Sequence, residues 1–81
     1  MYNTLKQGVE RGGLELKWLK HIRIDADMTQ IEVAEKVGIT QQMYWMIENG
    51  ERRPSVETAK KIAAVLGFDW TMFYPDEQKG A

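Results

Sequence analysis

The sequence predicts an all-α fold, a compact bundle of five short helices, on three observations. Apolar residues recur at three- and four-residue spacing from Leu14 to Leu66. Thr29, Thr40, Ser55 and Asp69 stand where helices would begin, and Gly38, Gly50 and Gly67 where they would stop. The chain has 81 residues, 43% of them hydrophobic, which suits one small folded domain with a thin core.

Residues 1–13 lack a sustained period and carry Gly8, Gly12 and Gly13, so they are expected to form a flexible leader ahead of a domain over 14–75. The first helix is expected from Leu14 to about Ile24, with Leu16, Leu19 and Ile22 as its apolar stripe and Trp18 beside them. Asp25 to Met28 breaks the pattern. Thr29 then caps a second helix over Gln30–Val37, and Glu32 three residues on completes a capping-box pairing. Val33, Ala34 and Val37 face inward, Gly38 suits a left-handed stop, and Ile39 anchors the turn.

Thr40 caps a third helix from Gln41 to about Asn49, with Tyr44 and Ile47 buried and Met43 able to join them. Asn49-Gly50 closes it, and Arg52-Arg53-Pro54 is extended because the residue before proline avoids helix. Ser55 caps a fourth helix, whose face is Ala59, Ile62, Ala63 and Leu66 and whose stop is Gly67. Asp69 can cap a fifth, short and aromatic, containing Trp70, Met72, Phe73 and Tyr74. Pro75 ends it, and 76–81 read as a polar tail.

Several function classes are excluded or disfavoured. The chain has no cysteine and one histidine, His21, so thiol chemistry, disulfides and a cysteine-ligated metal are out, and no cofactor is expected. No apolar run approaches the roughly 18–20 residues of a membrane span, and no secretion signal is visible, so a cytoplasmic protein is expected. No nucleophile–base constellation or phosphate-binding loop is present, so an enzyme is not expected. The net charge of −1 is low for a nucleic-acid binder, unless Arg23, Lys36, Arg52, Arg53, Lys60 and Lys61 cluster.

The second and third helices, joined across Gly38-Ile39-Thr40, would cross steeply, with Ala34 small enough to allow close approach. With Tyr44 and Ile47 inside, the third helix turns Gln41, Gln42 and Trp45 outward, with Met46 near them. A helix fits the major groove, and a glutamine there can make two hydrogen bonds to adenine. The start of the second helix could hold a phosphate, and Arg52 and Arg53 could reach the backbone. Gln41, Gln42, Arg52 and Arg53 could instead be solvated polar side chains, and Trp45 and Met46 could belong to the core or to an interface. Glu48 suits a structural salt bridge better than a DNA contact, because a carboxylate repels phosphate.

Leu19, Ile22-Arg23, Met28-Thr29-Gln30, Ala34, Gly38, Thr40, Ile47-Glu48-Asn49-Gly50, Arg53-Pro54-Ser55 and Ile62/Leu66/Gly67, taken in register, resemble the Cro/C1-type (XRE) helix-turn-helix family of the lambdoid phage repressors and Cro proteins. The resemblance spans about residues 14–74. It implies a lambda-repressor-like domain and a transcription regulator, usually a repressor acting as a homodimer on an inverted-repeat operator in double-stranded DNA. It implies base reading by Gln41, Gln42 and Trp45. It implies DNA-backbone contact by Thr29, Gln30, Thr40, Asn49, Arg52 and Arg53, with Gln30 also able to brace Gln41. Tyr44 stands where Ile or Val is usual, and Trp45-Met46 where Ser and Arg are common. These departures leave the third helix without a basic residue, as suits thymine-methyl contact or a protein partner such as a toxin or an antirepressor. An antitoxin-like interaction module is thus the second reading.

Phe68, Trp70, Phe73 and Tyr74 are more aromatic surface than one short helix can bury. They could cap the core or form a homodimer interface, where aromatic residues are enriched. A dimer would place two recognition helices about one DNA turn, roughly 34 Å, apart.

Overall fold

The computed structural model describes residues 15–75. The expected leader (1–13), Leu14 and the polar tail (76–81) lie outside the described residues. Four α-helices, α1 (Lys17–Asp25), α2 (Gln30–Val37), α3 (Gln41–Glu48) and α4 (Val56–Leu66), precede a 3₁₀ turn, η1 (Trp70–Phe73), with no strand among the described residues.

α1 starts at Lys17, later than its apolar stripe suggests. Leu16 has no side-chain cap. Its backbone N–H donates instead to the Glu48 carbonyl at 2.9 Å, which ties the start of α1 to the end of α3. Leu19 is fully buried, with Leu16, Trp18 and Ile22 packed around the core. After α1 the chain reverses through Asp27, whose φ of 61° is left-handed; a short polar side chain tolerates that region better than most.

The other helices begin and end on the residues expected of them. Thr29 Oγ1 accepts from the Glu32 N–H, and Glu32 Oε1 accepts from the Thr29 N–H, which closes the capping box. Thr40 Oγ1 accepts from the Met43 N–H and Ser55 Oγ from the Thr58 N–H. Gly38 terminates α2 at φ 89°, with its N–H and that of Ile39 both donated to the Ala34 carbonyl. An added Cβ there would meet nothing within 4 Å, so glycine is required by backbone conformation and not by space.

The fifth element differs from expectation. Asp69 caps it, accepting from both the N–H and the hydroxyl of Thr71, but the turn is 3₁₀ and only four residues long. Tyr74, directly before Pro75, lies outside the helical region at φ −129° and ψ 58°, in keeping with the avoidance of helix by a residue that precedes proline.

α2 packs on α3 and α4, and η1 packs on α4. Val33, Ala34 and Val37 from α2 meet Tyr44 and Ile47 from α3, then Ala59, Ile62 and Leu66 from α4. Ala34, only 2% exposed, carries one methyl where α2 and α3 come close. This packing turns one face of α3 wholly inward and leaves the other outside.

Candidate nucleic-acid interface

α3 divides cleanly by helical period. Tyr44, Ile47 and Glu48 are buried, while Gln41, Gln42 and Trp45 are exposed. Gln41 and Gln42 lie four and three residues before Trp45, so the three share one face. Trp45 retains 43% of its surface, although it is among the largest apolar residues of a small domain. Met46 is half-buried and Met43 packs against the core, so neither extends this face as Trp45 does.

The inner face carries a charge. Arg23 Nε donates to Glu48 Oε2 at 2.7 Å and Arg23 Nη2 to Oε1 at 3.3 Å, while Nη1 donates to the Met28 carbonyl at 3.0 Å. Tyr44 Oη donates to Oε2 and Gln30 Nε2 to Oε1, each at 2.9 Å. One carboxylate therefore joins α1, α2 and α3. Burial raises the Tyr44 hydroxyl well above the ordinary phenol range, and the nearby Glu48 charge adds to this, so Tyr44 stays a neutral donor. The hydrogen bond to Glu48 likewise raises the Arg23 guanidinium, against the opposing effect of its burial.

This network corrects one expectation and sharpens others. Arg23, one of the six cations whose clustering would offset the low net charge, is buried and structural. Glu48 takes the salt-bridge role expected of it, but its partner, 25 residues away, is not marked by any local pattern. The available hint is that Arg23 lies one turn after the buried Leu19, on the core side of α1. Gln30 spends one of its two amide N–H groups on Glu48, and no hydrogen bond joins it to Gln41.

The remaining residues surround the outer face of α3. The Thr29 and Thr40 hydroxyls are engaged as helix caps; the other N–H groups of each first turn lack intrahelical acceptors and suit an anion. Asn49 donates from Nδ2 to the Trp45 carbonyl at 2.9 Å, fixing the end of α3 beneath that indole. Lys36, Arg52, Arg53, Lys60 and Lys61 are all exposed. Arg53 lies 4.8 Å over the Tyr74 ring, and the Tyr74 hydroxyl donates to the Pro54 carbonyl, so the loop after α3 is fastened to η1. Lys60 sits 5.1 Å over Trp70, and Lys61 makes only an exposed 3.7 Å pair with Glu57, an arrangement of little energetic weight.

Phe68, Trp70, Phe73 and Tyr74 do not form one free surface. Phe73 and Tyr74 are 7% and 6% exposed within the protomer, and Trp18, Phe68 and Phe73 stack edge-on at 5.2–5.7 Å. Of the two roles open to this segment, Phe73 and Tyr74 take core capping within the protomer, because η1 packs on α4. Trp70 and Phe68 keep partial exposure, and Met72 beside them is 40% exposed. No helix among the described residues is long and apolar enough to cross a membrane.

A helix-turn-helix family model matches residues 19–73. Over 60 residues the chain is 53% identical to YqaF of Bacillus subtilis strain 168, an uncharacterized HTH-type transcriptional regulator, the match covering 74% of this chain and 79% of that one. It is 33% identical over 49 residues to RstR, the cryptic phage CTXphi transcriptional repressor of Vibrio cholerae, covering 60% of this chain and 44% of the repressor. An uncharacterized HTH-type transcriptional regulator of Methanothermobacter thermautotrophicus is 39% identical over 49 residues, covering 60% of this chain and 71% of its own. No solved structure matches.

Proposed function

Since the chain belongs to the Cro/C1-type helix-turn-helix family of transcriptional regulators, we propose that it is a repressor that occupies an inverted-repeat operator in double-stranded DNA as a homodimer, with α3 in the major groove. The observation that carries this reading is the division of α3. Its inner face is locked by Tyr44, Ile47 and Glu48, and its outer face offers two glutamines and an indole with no hydrogen-bond or ring partner among the described residues. Gln41, Gln42 and Trp45 read bases. Thr29, Gln30, Thr40, Asn49, Arg52 and Arg53 hold the phosphate backbone, which sets register and supplies most of the salt-sensitive affinity. The protein acts by occupancy, with no chemistry of its own and no cofactor, in the cytoplasm.

Selection of random duplex DNA at near-physiological salt tests this reading directly. An inverted repeat with half-sites about one helical turn apart is the expected result. A folded protein that enriches no duplex would overturn it.

Within the same reading, Arg53→Ala is expected to weaken binding to every duplex alike and to lower the slope of log affinity against log salt by about one. Loss confined to one operator position would show that Arg53 reads a base instead. The dimer rests on Trp70, Phe68 and Met72, the part of the segment that keeps exposed surface, partial for the two rings. Trp70→Ala should therefore raise the dimer dissociation constant in sedimentation, and unchanged behaviour would move the interface elsewhere.

One observation favours a second reading. A half-exposed tryptophan on a helix without cations also suits a protein partner, a toxin or an antirepressor, and an antitoxin-like module on this fold would present it so. Capture of such a partner, together with the absence of duplex enrichment, distinguishes it from the operator-binding regulator.

A further inference from the structure

The outer face of α3 is electrically neutral. Gln41, Gln42 and Trp45 carry no charge, α3 contains no lysine or arginine, and its single ionised residue, Glu48, is buried against Arg23. This limits which bases the face can read. Guanine is read best by Arg or Lys, and cytosine by Glu or Asp, none of which stands on this face. Glutamine matches the paired donor and acceptor of adenine, and an apolar group matches the C5-methyl of thymine, the apolar feature of the major groove.

Trp45 supplies that apolar group. Its ring makes no aromatic or cation–π contact, and its side chain makes no hydrogen bond, among the described residues. Its carbonyl accepts from Asn49 Nδ2, which steadies the backbone below it. Gln42 and Trp45 are one turn apart, about 4.5 Å along the helix axis. Successive bases rise about 3.4 Å along each DNA strand, a comparable step, so the two side chains are close enough together to meet neighbouring base pairs.

Resting on the operator-binding reading above, we propose that Trp45 is a specificity-determining residue that reads thymine through its C5-methyl group, next to an adenine read by Gln41 or Gln42. The half-site under α3 is therefore A·T. Affinity comes from cations outside α3, and base choice comes from a neutral face.

The test uses the duplex that wild-type protein retains from a random library. Each thymine in a half-site is replaced in turn by deoxyuridine, which removes the methyl group and leaves the pairing edge intact. At one position per half-site, affinity should fall about two- to fivefold, near the value of one buried methyl group. Trp45→Ala, at an exposed site and so expected to fold, should bind the thymine duplex more weakly and be indifferent to uracil there. Trp45→Leu, which keeps an apolar contact, should retain part of the sensitivity. Wild-type protein indifferent to uracil at every position would overturn the proposal and leave operator binding standing. Equal sensitivity in Trp45→Ala would do the same. Failure to retain any duplex removes the operator reading, and this proposal with it.

Discussion

Glu48→Ala is expected to destabilise the domain by about 3–5 kcal/mol, the usual cost of removing one partner of a buried ion pair. Alanine would strand more than a charge. Arg23 would lose both of its carboxylate bonds, and the Tyr44 hydroxyl and the Gln30 amide would each lose an acceptor. Small domains are stable by about 5–15 kcal/mol, so this change would remove a large share. The denaturant midpoint should drop at nearly constant slope, and a loss below about 1 kcal/mol would mean that water replaces the carboxylate.

The same carboxylate sets an acid limb. Burial opposes the Glu48 charge, but hydrogen bonds from Arg23, Gln30 and Tyr44, aided by the Arg23 charge, outweigh it and hold the carboxyl below the ordinary glutamate value of 4.5. The unfolded chain then takes up its proton first. The stability is complete above that ordinary value and is lost as pH falls toward the lower folded-state value. Asp69, lowered by the hydroxyl and then the N–H of Thr71, contributes in the same direction. Glu48→Gln should therefore flatten the limb without abolishing it.

The second large effect concerns recognition. Gln41→Ala and Gln42→Ala, made separately, are expected to cost the better base reader about 1–3 kcal/mol on the selected operator, or about 5- to 150-fold in affinity. Binding to a duplex mismatched at that base pair should hardly change, so the loss reads as relaxed specificity. Both side chains are exposed and without hydrogen-bond partners among the described residues, so stability should stay within about 0.5 kcal/mol of wild type. Equal losses on matched and mismatched duplexes for both variants would remove the glutamines from base reading and return α3 to the protein-partner reading.

The two predictions concern opposite faces of one eight-residue helix. Glu48 holds α3 against α1 and α2, and Gln41, Gln42 and Trp45 extend from the backbone so held. A site presented by a rigid helix retains its geometry better than one on a loop, and the network on the inner face supplies that rigidity.

The parts of this protein legible in its sequence are those decided within a few residues. Thr29 with Glu32, Thr40, Ser55 and Asp69 marked helix starts because a short polar side chain satisfies N–H groups two or three positions on. Gly38 and Gly67 marked stops because they are the residues that accept φ 89° and 80° without strain. The split of α3 into buried Tyr44 and Ile47 and exposed Gln41 and Gln42 followed from the 3.6-residue period, whereas the exposure of Trp45 was decided by the packing. What only the tertiary structure decided was pairing across distance. It took Arg23 from the expected basic surface into the core, gave Gln30 to Glu48, sent Phe73 and Tyr74 inward while Trp70 and Met72 stayed partly outside, and set Arg53 on Tyr74. A charged or aromatic side chain looks the same in sequence whether it meets water or a partner 25 residues away, because its choice depends on which helices pack together. Local hydrogen bonding determines where helices begin, end and face; the burial of charge and ring is settled only once those faces meet.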